Sequence, residues 1–259
     1  MEIDTSVPQS ARIWNYWLGG TDNFPVDRAA GDEYRAVFPG IDEIARESRR
    51  YLSRAVRYLA TEAGIRQFLD AGAGLPAADN THQIAQRAAP EARVVYIDKD
   101  PYVVEHGRRM LAGSSGIYLQ GDLQKPAEIV SLAAREFEMD RPVALILNGV
   151  LGHIPTTAEA RDIVAQLMAG LPPGSYLSIN DGVRTAEEEA LNQAQDAYNE
   201  SGAVPYLMRT PEEIASFFEG LDLVPPGVVP SWQWHPGPGD ERAGVNQYSG
   251  VGRKPGPAR

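Results

Sequence analysis

Phe68-Leu69-Asp70-Ala71-Gly72-Ala73-Gly74 is the stretch on which the fold turns. Residues 67–70 form a short apolar run that ends in an acid, and two closely spaced glycines follow. Glycine accepts positive φ and offers bare backbone, so the pair permits a tight turn that a ligand can approach closely. A helical pattern follows over residues 80–89. Strand, glycine turn and helix open a βαβ unit, and in an open α/β sheet the ligand crevice lies at the carboxyl ends of the strands.

The same alternation continues downstream. Strands are expected at 92–98 (ARVVYID), 116–119, 142–147 (PVALIL) and 174–180 (GSYLSIN), with helices at 102–111, 126–136 and 157–171 between them. Strands alternating with helices of this length indicate a parallel sheet. Apolar runs without polar alternation indicate a sheet covered on both faces. Helices follow at 185–201 and 210–219, the second with Thr210 as N-cap and Pro211 in its first position. Two closing strands, 221–229 and 245–252, flank a Pro/Gly-rich loop at 236–242 that reads as mobile. The expectation is an α/β fold: a Rossmann-like, doubly wound, mostly parallel seven-stranded sheet with an antiparallel edge strand. Upstream, residues 1–65 are too few and too polar for a separate domain. They contain a long helical pattern at 42–63 and an aromatic stretch at 11–28 broken by Gly19-Gly20. They read as an N-terminal helical lid on a Rossmann-like domain at 66–253, with a flexible tail at 254–259.

The 259 residues carry a formal net charge of −11 and no cysteine. The composition, 43% apolar and 23% charged, is that of an ordinary globular protein. The missing thiols exclude disulfides, thiolate zinc sites and cysteine nucleophiles, and fit a reducing, cytoplasmic setting. So acidic a chain is repelled by phosphate backbones unless it holds a basic patch. The one cluster of arginines (Arg46, Arg49, Arg50, Arg54, Arg57) alternates with Glu43 and Glu47 and reads as a solvated helix face. No run approaches the ~18 apolar residues needed to span a bilayer. Neither a nucleic acid nor a membrane is expected as partner.

The glycine turn alone is ambiguous, because Gly72-x-Gly74-x-x-Ala77 also fits a dinucleotide fingerprint. Asp98, at the end of the second strand, could accept ribose hydroxyls in either case. Three features favour S-adenosyl-L-methionine (SAM). Asp70 would repel a pyrophosphate but suit the amino-acid end of SAM, and Pro76 disturbs the helix start that a pyrophosphate needs. Gly121-Asp122-Leu123 follows the third strand, where an acid and an apolar residue could hold adenine.

Asp70-Ala-Gly72-Ala-Gly74, Val95-Tyr-Ile-Asp98-Lys-Asp100-Pro101 and Gly121-Asp122 together resemble the class I SAM-dependent methyltransferases. The runs Ala11-Arg-Ile-Trp-Asn-Tyr16-Trp-Leu-Gly19-Gly20-Thr-Asp22-Asn23-Phe24, Gly64-Ile-Arg-Gln-Phe-Leu-Asp70 and Tyr248-Ser-Gly-Val-Gly-Arg253-Lys-Pro narrow the likeness. They resemble an actinobacterial S-adenosyl methyltransferase family, formerly a domain of unknown function, over nearly the whole chain. The resemblance implies that Asp70, Gly72 and Gly74 surround the methionine part of SAM. Asp98 would hold the ribose, with Asp100 close by, and Asp122 and Leu123 would contact adenine. Asn148, Gly149 and Val150 would pass beside the sulfonium. Tyr16, Gly20 and Asn23 would cover the cofactor, Asn23 bonding its carboxylate. The chain departs from the family pattern at Leu151-Gly152-His153, where a glycine is inserted, and at Asn180-Asp181, where a Ser-His pair is usual.

Methyl transfer needs alignment, and the cofactor carries the electrophile. S-adenosylhomocysteine is the expected product. If the acceptor is a hydroxyl or an activated carbon, His153 is the leading general base and Asp181 the second. Trp232-x-Trp234 would place two rings on one side of a strand. With Tyr16, Trp17 and His153 they are the candidates for an acceptor pocket. His82 reads as a surface residue. His106 and His235 pair with no carboxylate at a ligand-like spacing, so no metal is expected. The expected function is methylation of a small molecule, such as an aromatic secondary metabolite. The alternatives are a non-catalytic SAM-binding regulator and an NAD-dependent oxidoreductase. The sequence leaves the oligomeric state open.

Overall fold

The computed structural model describes residues 4–113, 116–186, 188–237 and 246–256. The loop expected at 236–242 lies outside the described residues from 238 onward, as does the end of the expected tail.

Five parallel strands form the body of the sheet: β1 (Gln67–Ala71), β2 (Arg93–Asp98), β3 (Gly116–Gln120), β4 (Ala144–Asn148) and β5 (Tyr176–Gly182). Three more complete it: β6 (Asp222–Leu223), β7 (Val229–Pro230) and β8 (Gln247–Arg253). The order is β3-β2-β1-β4-β5-β8-β6, with β7 also paired to β8. β8 runs antiparallel to β5, β6 and β7. The antiparallel strand thus lies one place inside the edge, and the two-residue β6 forms the edge itself. The single strand expected at 221–229 is split into β6 and β7. Pro225 and Pro226 stand between them and have no N–H to give to a ladder.

Side chains alternate across each strand, which divides the core in two. Phe68, Val94, Tyr96, Ala144 and Ile146 pack on one face with α3 (Ile41–Thr61), α4 (Thr81–Ala88) and α5 (Pro101–Met110). Leu69, Val95, Ile97, Leu145 and Leu177 pack on the other with α6 (Pro126–Glu136), α7 (Thr157–Ala169) and α9 (Pro211–Ser216). The helix starts are fixed locally. Asp100 accepts the Tyr102 N–H at 2.8 Å to open α5, and Asn80 with Gln83 forms a capping box at α4. At the far end of the sheet Lys254 Nζ donates to the carbonyls of Met168 (2.7 Å) and Leu171 (2.6 Å), so the chain is held beyond β8.

The N-terminal segment holds α1 (Ser10–Trp17), α2 (Pro25–Val37) and the long α3. α2 is an element that periodicity did not suggest, although Pro25 at its first position and Asp27, which accepts the Phe24 N–H at 2.8 Å, are its local signals. Ile13, Trp17, Tyr34, Ile41 and Ile44 form a third cluster with Leu191 and Tyr198 of α8 (Glu189–Glu200). The buried ion pair Arg12–Asp27 (2.8 Å) fixes α1 to α2.

Three expectations are overturned by burial. The arginine cluster is not wholly a solvated face: Arg54 is buried, pairs with buried Glu47 at 2.7 Å and donates to the carbonyls of Ser231 and Trp234. His82 is buried, with its N–H and Nδ1 both 2.8 Å from the Tyr96 hydroxyl. Trp234 lies in the core, edge-on to Tyr51 and Tyr58 and stacked on His235, while Trp232 sits in a 3₁₀ turn at Ser231–Gln233. The turn removes the two-residue alternation that would have put both rings on one side.

Candidate active site

A cavity of about 230 Å³ opens at the carboxyl ends of β1, β2, β4 and β5, under the N-terminal helices. At the strand tips its walls include Asp70, Gly72, Gly74, Asp98, Asp100, Asp122, Leu123, Asn148, Gly149 and Val150, which the sequence placed around a cofactor. Trp14, Trp17, Tyr34, Leu191, Tyr198, Tyr206 and Met208 line it as well, as does His153.

The glycine turn is built for close approach. Gly72 and Gly74 have φ of +76° and +65°, and a Cβ on Gly72 would stand 2.1 Å from Val150 Cγ2. The turn is tied back to β2: the amides of Gly72 and Ala73 donate to Ile97 O at 2.7 and 3.1 Å. The Gly74 amide donates to Asp98 Oδ2 at 2.9 Å, and the Asp100 amide donates to Oδ1 at the same distance. Asp98 therefore shapes the turn while facing the cavity, and burial raises its pKa. Burial also pushes Asp70 up to about 6, against the pull of the Thr81 hydroxyl (2.6 Å) and of Arg49. At the tips of β4 and β5, Asn148 and Asn180 both donate to Ser48 Oγ on α3, at 3.0 and 2.9 Å. Asn148 Oδ1 is left buried in the cavity wall with no hydrogen-bond partner among the described residues.

His153 ends a 3₁₀ turn, Leu151–His153, and its Nδ1 lies 2.9 Å from Pro205 O. A carbonyl only accepts, so Nδ1 carries the hydrogen and Nε2 keeps its lone pair. Burial lowers the imidazole pKa, which keeps the ring neutral. Asp181 does not reach the cavity. It is buried, and the Tyr206 hydroxyl, which lines the cavity, donates to it. Burial pushes Asp181 up to about 7 despite the nearby Arg209. Asp181 is thus separated from the cavity by Tyr206. The inserted Gly152 explains how Tyr206 fits, since a Cβ there would lie 2.3 Å from the Tyr206 ring.

Five further candidates lie elsewhere. Tyr16 turns outward, donates to Asp32 at 2.8 Å and stacks under Arg35. Gly20 and Asn23 form the loop that closes α1: Asn23 Nδ2 donates to Asn15 Oδ1 and to Gly20 O, both at 2.9 Å. It is Asn15, passed over in the sequence, that lines the cavity. Trp232 and Trp234 are absent from its walls among the described residues. Sequence reasoning also missed Arg49, Tyr34, Tyr206 and the α8 face of Leu191, Gln195 and Tyr198, whose spacing marks one side of a helix.

Strand-tip acids, a glycine turn and a helical cover over an apolar recess define a SAM-dependent methyltransferase of class I. The chain belongs to the S-adenosyl methyltransferase family, whose model matches residues 1–255. It is similar to a DUF574 family protein from Streptomyces avermitilis, with 38% identity, a TM-score of 0.91, and coverage of 98% of this chain and 100% of the other. It is also similar to a putative methyltransferase from Thermobifida fusca, with 38% identity, a TM-score of 0.88 and 97% of both chains covered. Among curated proteins it resembles the carboxy-S-adenosyl-L-methionine synthase of Trichlorobacter lovleyi, 26% identical over 121 residues, and the chain matches 46% of that relative's length. No helix among the described residues is long and apolar enough to cross a membrane.

Proposed function

We propose that the protein methylates a small, flat, uncharged molecule, of the kind found among aromatic secondary metabolites, at a hydroxyl group. The observation that carries this reading is that one cavity is lined both by acids at the strand tips and by neutral, aromatic residues of α1, α2 and α8.

The residues at the strand tips fit SAM. Gly72 and Gly74 leave backbone open to the methionine portion, Asp98 offers acceptors for ribose hydroxyls, and Asp122 with Leu123 would border adenine. The unpartnered Asn148 Oδ1 calls for a donor, which the ligand's ammonium would provide. Bound SAM supplies a methyl group on a sulfonium, an electrophile that needs no nucleophile from the protein. The chain's part is alignment, which is worth up to about 7–11 kcal/mol of barrier in favourable cases, and exclusion of water by the helical cover. His153 would take the acceptor's proton at Nε2, the nitrogen its contact with Pro205 leaves bare. Trp14, Trp17 and Tyr198 supply apolar and aromatic walls to hold a planar ring.

Calorimetric titration with S-adenosylhomocysteine tests the cofactor end. A screen of phenols and other aromatic hydroxyl compounds with radiolabelled SAM tests the acceptor end. Turnover confined to anionic or macromolecular acceptors would refute the proposal.

A further inference from the structure

Gln247 opens β8 and lines the cavity, yet it is only 2% exposed. Its Oε1 is buried with no hydrogen-bond partner, and its Nε2 donates to nothing among the described residues. The ladder explains why. Gln247 pairs with Gly182, the last residue of β5, which has no side chain to offer across the strands. Two residues along the same face of β8 the polar groups are paired: Ser249 and Ser231 both donate to Asn180 Oδ1, at 3.0 and 2.9 Å, and Asn180 donates to Ser48. Asn246, beside Gln247, also lines the cavity, and its Nδ2 is buried without an acceptor among the described residues. Its backbone is fixed, since its carbonyl accepts the Val183 N–H at 3.1 Å. Burying a polar group unpaired is costly, so two adjacent orphaned carboxamides in one cavity wall point to a ligand that pairs them.

β8 stands three strands from β1 in the order β1-β4-β5-β8, about 14 Å from the glycine turn at the usual strand spacing. It also lies on the side away from Asp98 and Asp122, which follow β2 and β3. Gln247 therefore belongs with the methyl acceptor. We propose that Gln247, with Asn246, selects an acceptor whose ring edge carries a carbonyl beside an N–H, the edge of a lactam. A carboxamide presents one donor and one acceptor side by side, whichever way it is turned. The lactam N–H would donate to Oε1 of Gln247, and the lactam carbonyl would accept from Nε2 and from Asn246 Nδ2. A ketone with a hydroxyl on the neighbouring ring carbon closes its own hydrogen bond, whereas the N–H and carbonyl of a lactam point the same way and stay free. The inference rests on reading the cavity as the site of a flat, uncharged acceptor, and it narrows that class to rings with an amide edge.

The test is calorimetric titration of the full chain, loaded with S-adenosylhomocysteine, with two rings of similar outline that both keep a hydroxyl. One is 6-hydroxyquinolin-2-one, which has the lactam edge, and the other is 2-naphthol, which lacks it. Wild type should bind the lactam about 10- to 100-fold more tightly, the range for two neutral hydrogen bonds in a buried site. Gln247→Met should cut that preference to about twofold by weakening the lactam alone, and should bind S-adenosylhomocysteine within about twofold of wild type. Without ligand, its urea midpoint should not fall, because an unpaired buried amide does nothing for the fold. A lower midpoint would make the carboxamide a structural group and overturn the proposal, as would equal losses on both rings. A second measurement needs no variant: the N-methylated lactam, which cannot donate, should bind wild type about tenfold more weakly than its parent, and undiminished binding overturns the pairing with Oε1. Equal affinity of wild type for the lactam and 2-naphthol would overturn the amide edge and leave the flat-acceptor reading standing. Binding of neither ring to the loaded protein would overturn both.

Discussion

In Gly72→Ala the new methyl would lie 2.1 Å from Val150 Cγ2 and 2.6 Å from its Cβ, whereas in Gly74→Ala it would meet nothing within 4 Å. Both glycines have positive φ, +76° and +65°. The backbone term is therefore shared, about 1–2 kcal/mol for an L-residue in the left-handed region. Only Gly72→Ala adds an overlap with a neighbour, about 1–3 kcal/mol for overpacking. Gly72→Ala should destabilise by about 2–5 kcal/mol and Gly74→Ala by about 1–2 kcal/mol. Urea denaturation of the two variants, of Val150→Ala and of Gly72→Ala/Val150→Ala completes a double-mutant cycle. The double variant should recover the overlap and keep the backbone cost. Because Val150 also lines the cavity, Gly72→Ala should weaken S-adenosylhomocysteine binding more than Gly74→Ala does. Equal destabilisation by the two alanines, or no coupling between Gly72 and Val150, would refute the argument that close packing of the turn requires glycine at position 72.

Asp98→Ala removes the acceptor of two turn amides and the proposed ribose contact; it should lower S-adenosylhomocysteine affinity at least about tenfold by calorimetry, and wild-type affinity would exclude the contact. His153→Ala should leave that affinity near wild type and cost about 10²- to 10⁴-fold in turnover, the range for a general base. The neutral imidazole is the active form and burial lowers its pKa, so wild-type turnover should fall with acid only below the ordinary histidine value of 6.5. An unchanged rate in His153→Ala would remove it from the chemistry. Trp234→Ala should cost about 3–5 kcal/mol of stability in urea denaturation and leave cofactor affinity intact. Normal stability with impaired ligand binding would return Trp234 to the pocket.

The sheet was legible because its signals are local and repeated: apolar runs of strand length, each with its own cap or turn, and acids at the strand ends. The acids of the cavity wall inherited that legibility, since Asp70, Asp98 and Asp122 follow directly from where β1, β2 and β3 stop. The N-terminal contacts were less legible because their partners are remote in sequence. Trp17 donates to Gly31 and packs on Tyr34, and Tyr34 in turn reaches Gln195. Nothing within the aromatic run tells which ring faces inward: Tyr16 and Trp17 are neighbours, yet one stacks under Arg35 at the surface and the other lines the cavity. The arginines of α3 misled for a related reason. Charge spacing alone cannot separate a solvated face from one that buries Arg54 against Glu47, because the deciding carbonyls, those of Ser231 and Trp234, come from the far end of the chain.

The glycine spacing could not choose between SAM and a dinucleotide; two physical features do. A diphosphate gains from the exposed amides and positive end of a helix that begins at the glycine turn. Here α4 begins only at Thr81, beyond a loop containing Pro76, and the amides of Gly72, Ala73 and Gly74 are already given to Ile97 O and the Asp98 carboxylate. The second feature is the sign of the field. Four acids, Asp70, Asp98, Asp100 and Asp122, line the cavity against two cations, Arg49 and Lys99, so the strand tips are acidic on balance, and like charges repel. That acidic rim opposes two phosphates and favours a ligand carrying a sulfonium and an ammonium. Burial raises the pKa of both Asp70 and Asp98, as expected of carboxylates held in poor solvation at the strand tips. Cofactor choice therefore follows from charge and from the delayed helix start, and glycines alone would have left it open.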